Sequence, residues 1–168
     1  KITYLNLPGV RVLAVRLGDS LDLSPEDLRR AAGIGVRHAT ASTSPSPRRV
    51  VVSLEASSDA QLQAVVEGAL LASHGFVPLR RNPPARAIES IGVIGSSRTS
   101  QQALEAGRSV AQAVCVARDW TNLPANLLGP SDLVEQARRK TEWARQGRAK
   151  AARLGSGMQL EKKFREDR

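Results

Sequence analysis

Residues 48–76 read RRVVVSLEASSDAQLQAVVEGALLASHGF, a short apolar run followed by a longer periodic one. The first part, RRVVVSLEA, has the length and the β-branched composition of a strand inside a sheet. In the second part, apolar residues recur every three or four positions, and Asp59, Gln63 and Glu67 lie on the opposite face. This is the pattern of an amphipathic helix. A strand joined closely to a helix predicts a layered α/β domain.

The same alternation continues on both sides of this stretch. Upstream, VRVLAVRLG predicts a strand, and LSPEDLRRAAGIGVRH predicts a helix with Ser24 as its N-cap and Pro25 as its first residue. The predicted apolar face of this helix comprises Leu28, Ala31, Ala32 and Val36. Downstream, AIESIGVIG predicts a third strand, and SRTSQQALEAGRSVAQAVCVARDWT predicts the longest helix. We expect this helix to lie very close to its neighbour, because small residues dominate its predicted buried stripe. The stripe comprises Ala103, Ala106, Val110, Ala113, Val114, Ala117 and Trp120.

Composition limits the class of protein. The chain has 168 residues, of which 41% are hydrophobic and only 3% are aromatic, so we expect a core of Ala, Val, Leu and Ile. The single cysteine, Cys115, excludes an internal disulfide and favours a reducing, cytoplasmic location. We expect no membrane span, because no apolar run approaches the roughly 20 residues that a spanning helix needs.

The net charge of +9 is concentrated near the C-terminus. Residues 1–138 carry 15 basic against 12 acidic residues, whereas residues 139–168 carry 10 against 4. This basic segment is predicted to be either a solvated helix with a tail or a contact surface for nucleic acid or an acidic partner. The candidate contact residues are Arg138, Arg139, Lys140, Arg145, Arg148, Lys150 and Arg153.

Motifs for catalysis or metal binding are missing from the sequence. His38 and His74 each end a predicted helix and lack metal-ligand spacing, and no CxxC, HExxH or GxSxG motif occurs. Cys115 lies within a helix pattern among small apolar residues, which predicts a buried, inert thiol. We therefore predict neither catalytic nor metal-binding residues in this chain.

Residues 118–132, RDWTNLPANLLGPSD, connect the longest helix to a last one. The long helix must stop near Trp120. Pro124 disfavours a helical conformation at the residue that precedes it, Leu123. Asn122 and Asn126 can bond neighbouring backbone groups in Asx-type turns. Gly129 and Pro130 suit the start of the next helix. We expect a rigid elbow here, formed by Trp120, Asn122, Pro124, Asn126, Gly129 and Pro130.

The elbow also carries a family resemblance. ARDWTNLPANLLGPSDLVEQAR resembles the segment that joins the N-terminal and catalytic domains in the leucyl aminopeptidase (cytosol aminopeptidase) family. VVEGALLASHGFVPLR is similar to a helix end in the family's N-terminal domain, and LSPEDLRRAAGIGVR fits its first helix. The resemblance implies a macro-domain-like α/β domain at residues 1–121, followed by an elbow and the start of a linker helix. From the residues themselves, we expect the elbow and linker helix to span 122–154 and a basic tail to follow at 155–168.

The resemblance also implies an activity for the complete protein. The family removes N-terminal amino acids from peptides with two divalent metals, zinc or manganese, and its members are cytosolic and typically hexameric. Its catalytic motifs, which resemble N-T-D-A-E-G-R and G-x-G-K, lie beyond the linker helix and do not occur in this sequence. We therefore expect a non-catalytic domain with a structural or oligomerisation role, which binds no metal and is inactive alone.

The ADP-ribose-binding signature of true macro domains is not met, because Gly18 and Asp19 lead into a helix cap. After Arg138 the resemblance stops. Residues 139–168 could reflect a truncation, an artificial junction or a shifted reading frame.

Overall fold

The computed structural model describes residues 2–18, 22–41, 47–54, 56–76, 79, 88–94 and 100–153, with side chains described as far as residue 142. The predicted tail at 155–168 lies outside the described residues. The chain divides into two compact units, Lys1–Asn122 and Leu123–Arg168. The elements are β1 (Ile2–Leu7), β2 (Val10–Val15), α1 (Pro25–Ala41), β3 (Arg49–Ser53), α2 (Asp59–Ser73), β4 (Ser90–Ile94), α3 (Gln101–Asn122) and α4 (Pro130–Arg153).

The strands form two separate pairs within the described part of the chain. β1 and β2 are antiparallel, with Ile2 opposite Val15 at one end. The turn between them contains Gly9, whose φ of 74° lies in the left-handed region that favours glycine. β3 and β4 are parallel. The predicted α/β class is confirmed. The predicted order of strands and helices did not include β1, which the turn separates from β2. The macro-domain-like layering stays a prediction.

The first helix begins where the sequence predicted. Pro25 is the first residue of α1, and the Ser24 hydroxyl accepts a hydrogen bond from the Asp27 backbone nitrogen at 3.2 Å. The Asp27 carboxylate in turn accepts one from the Ser24 backbone nitrogen at 3.1 Å. This reciprocal capping gives two backbone nitrogens at the helix start a side-chain acceptor each.

The main core lies between α1, α2 and the inward face of β3 and β4. Its buried members are contributed by the two helices, and half-buried strand residues such as Val52 and Val93 pack against them. The α1 face that the sequence predicted is the buried one. The core members are Leu28, Ala32, Val36, Val65 and Ala69.

The predicted solvent-exposed face of α2 is wrong at Glu67, which is buried. The sequence placed it opposite the apolar face, yet it is only 6% exposed, because α2 packs against both α1 and α3. Arg29 of α1 holds its carboxylate in an ion pair at 2.9 Å, and the Gln63 side chain donates a hydrogen bond to it at 2.9 Å. A buried charge costs free energy unless it is paired in this way.

The buried face of α3 is also rotated from its predicted position. Its buried residues are Ala103, Gly107 and Ala111, whereas Val110 of the predicted stripe is 43% exposed. Ala113 and Ala117 are exposed as well. Gly107 explains the difference, since a Cβ there would lie 2.7 Å from the Gln63 carbonyl oxygen of α2. The predicted close approach of α3 to its neighbour is therefore confirmed, but it occurs through glycine.

Asp59 ties the start of α2 to the start of α3. Its carboxylate accepts hydrogen bonds from the Ser100 backbone nitrogen at 2.7 Å and from the Ser100 hydroxyl at 2.8 Å. The same hydroxyl accepts a hydrogen bond from the Ala103 backbone nitrogen at 3.1 Å, which caps α3. The backbone and side-chain bonds from Ser100 favour the ionised carboxylate and lower the pKa of Asp59.

This contact predicts a pH-dependent contribution to stability. Because the pKa of Asp59 is lower in the folded chain, its contribution is present above the unfolded pKa of about 4 and is lost as pH falls through the folded pKa. We expect Asp59→Asn to lower the urea midpoint more at pH 7 than at pH 2, where more of the carboxylate is protonated. Circular dichroism during urea titration measures both midpoints. An equal loss at both pH values would contradict the assignment.

Candidate functional site

The predicted elbow begins at the end of α3, which extends two residues past Trp120 to Asn122. The Thr121 hydroxyl donates to the Ala117 carbonyl, and the Asn122 side chain donates to the Arg118 carbonyl, each at 2.8 Å. Asn122 therefore bonds back into the last turn of the helix and does not form the Asx-type turn that the sequence predicted. Trp120 is half-buried.

One hydrogen bond and one close approach join this end of α3 to the C-terminal end of α2. The Arg118 guanidinium donates to the Leu71 carbonyl at 3.3 Å, which satisfies a terminal carbonyl of α2. Asp119 lies 3.0 Å from Nε2 of His74, which is 19% exposed and is the C-cap residue of α2. The sequence indicates that His74 lies at a helix end, but it does not predict either contact, because each joins residues more than 40 positions apart.

Residues 124–128 form a hydrogen-bonded turn. The carbonyl of Pro124 accepts hydrogen bonds from the backbone nitrogens of Leu127 at 2.9 Å and Leu128 at 3.1 Å. Asn126 lies within this turn and is exposed, and Leu127 is 50% exposed. Backbone bonding therefore orders this part of the connection.

Gly129 and Pro130 start α4 as the sequence predicted. Pro130 is the first helical residue, and the Gly129 carbonyl accepts the first helical bond from the Leu133 nitrogen at 3.0 Å. The Gly129 backbone nitrogen donates to the Asp132 carboxylate at 2.9 Å. Asp132 also lies in the first turn, where the helix dipole favours a negative charge.

We expect Asp132→Ala to fray the start of α4. The substitution removes the acceptor for the Gly129 nitrogen, and losing a capping contact costs about 0.5–2 kcal/mol. Hydrogen exchange at the amides of residues 133 and 134, the first amides with helical hydrogen bonds, should accelerate about 2- to 30-fold. Ser131→Ala is the matched control, with little expected change. Equal exchange in both variants would contradict this role of Asp132.

The described cations of the predicted basic surface lie on α4. Arg138, Arg139 and Lys140 are all exposed. Arg139 forms an ion pair with Glu135 at 2.7 Å, one helical turn away. Arg145, Arg148, Lys150 and Arg153 belong to the same helix, but their side chains lie outside the described residues. The basic contact surface therefore stays a prediction.

Cys115 is a free, half-buried thiol on α3. Burial raises its pKa, and the neighbouring Asp119 adds to this effect, whereas Arg118 opposes it. A raised pKa leaves the thiol protonated at neutral pH, and the thiolate is the reactive form. The sequence predicted a buried thiol, whereas Cys115 is only half-buried. The inertness of this thiol stays a prediction, which the raised pKa supports.

The described residues offer no cluster of three or more His, Cys, Asp or Glu side chains suited to hold a metal ion. Within the same part of the chain, we find no helix long and apolar enough to cross a membrane.

Residues 2–83 match the family model for the cytosol aminopeptidase family, N-terminal domain. A probable cytosol aminopeptidase of Cutibacterium acnes is 34% identical over 105 residues, covering 62% of this chain and 21% of the relative. Another, of Mycobacterium leprae, is 32% identical over 142 residues, covering 79% and 26%. The chain therefore spans about a quarter of the length of these curated relatives.

The solved structure of the bottromycin maturation enzyme BotP in complex with Mn is similar in fold. It matches this chain with a TM-score of 0.70 and 24% sequence identity. The match covers 86% of this chain and 30% of BotP. At this level of identity the likeness bears on the fold alone.

Proposed function

Because this chain carries the N-terminal domain of the cytosol aminopeptidase family, we propose that its role is structural and non-catalytic. The observation that carries the proposal is the family match at residues 2–83 in a sequence without the family's N-T-D-A-E-G-R and G-x-G-K motifs. In a complete family member, this domain would support the catalytic domain and its assembly. Removal of N-terminal amino acids from peptides would then be the activity of the complete protein.

The packing of the helices supports a structural role. α2 lies between α1 and α3, and glycines allow close approach on both of its sides. Near the end of α3, Arg118 donates a hydrogen bond to α2, and Asp119 lies close to His74. Such close packing suits a domain that supports an assembly.

We also propose the elbow as a rigid connector and α4 as the linker helix. Each side of the elbow is ordered locally, by Asn122 on α3 and by the Gly129–Asp132 cap on α4. The macro-domain-like layering and the predicted division at residues 1–121, 122–154 and 155–168 belong to the same proposal. Its physical basis is that short, hydrogen-bonded connections restrict the directions in which a chain can leave a helix.

The proposed metals, cellular location and oligomeric state follow from the family rather than from residues of this chain. In the complete protein, two divalent metals, zinc or manganese, would activate water and polarise the scissile carbonyl from a domain that this sequence does not contain. We assign no metal ligand to this chain. A cytoplasmic homo-oligomer, hexameric as is typical of the family, is the proposed setting.

We expect the purified chain to show no turnover of leucine p-nitroanilide with added zinc or manganese. The physical reason is that neither family catalytic motif occurs in the sequence, so the groups that activate water are missing. Absorbance of released nitroaniline measures turnover, and a complete family member is the positive control. Metal-dependent turnover that a chelator abolishes would contradict the non-catalytic assignment.

The alternative, binding of nucleic acid or an acidic partner through the basic segment, has narrower support. It rests on charge and on the exposure of Arg138 and Lys140. Arg139 already forms an ion pair with Glu135, so its positive charge is less available to a binding partner. The structural role is therefore the function that we propose.

A further inference from the structure

We draw no further inference here: the strongest candidate, the outward apolar face of the β1–β2 hairpin formed by Leu5, Leu7, Val10 and Val12, is exposed, but nothing in the described part of the structure shows what covers it.

Discussion

Gly68→Ala is expected to destabilise the chain by about 3 kcal/mol or more. A Cβ at residue 68 would overlap the carbonyl oxygen of Arg29 and lie 2.9 Å from its carbonyl carbon. These are backbone atoms of α1, so they cannot rotate away as a side chain would. The two helices would have to separate, which would also weaken the pairing of Arg29 with buried Glu67. Urea unfolding followed by far-ultraviolet circular dichroism measures the loss.

Gly35→Ala is the matched control for this prediction. Residue 35 also lies inside a helix, but its Cβ would meet only side-chain atoms, the nearest being Val15 Cγ2 at 3.5 Å. Alanine is about 1 kcal/mol more favourable than glycine in a helix interior. The control should therefore unfold at the same or a higher urea concentration. A Gly68→Ala variant as stable as the unsubstituted chain would show that α1 and α2 do not meet at this glycine.

Elements with strong local signals were predictable from the sequence. Ser24 and Pro25 mark the start of α1, and Gly129 and Pro130 mark the start of α4, because a cap requires particular residue types at adjacent positions. The apolar face of α1 was also predictable, since its spacing follows the helical period.

Features that depend on neighbours distant in the chain were not predictable. Glu67 is buried where α2 packs against its neighbours, and its charge is paired with Arg29 of α1, which lies 38 residues away in the chain. The buried face of α3 passes through Gly107, which a pattern of apolar residues overlooks. A glycine reveals a close approach only when the opposite helix is in place.

The predicted elbow shows both situations in one segment. The turn at Pro124 and the cap at Gly129 follow from local residue types. Asn122 has two local choices, a turn or a bond back into the helix, and the residue type alone does not decide between them. The contacts of Arg118 and Asp119 with α2 depend on the packing of two helices.

We propose that this domain supports an aminopeptidase without taking part in its chemistry. The most direct measurement is the activity and size of a hybrid, in which residues 1–138 of this chain replace the N-terminal domain of the Cutibacterium acnes relative. Light scattering would give the oligomer size, and leucine p-nitroanilide turnover would give the activity. The relative without its N-terminal domain is the control, and we expect it to lose assembly, activity or both.

We predict that the hybrid assembles to the size of the unaltered relative and is active, because the grafted domain supplies the missing support. The same hybrid with Gly68→Ala should behave like the deletion control, since its helices cannot pack. A hybrid that circular dichroism shows to be folded, but that has the size and turnover of the deletion control, would contradict the structural role.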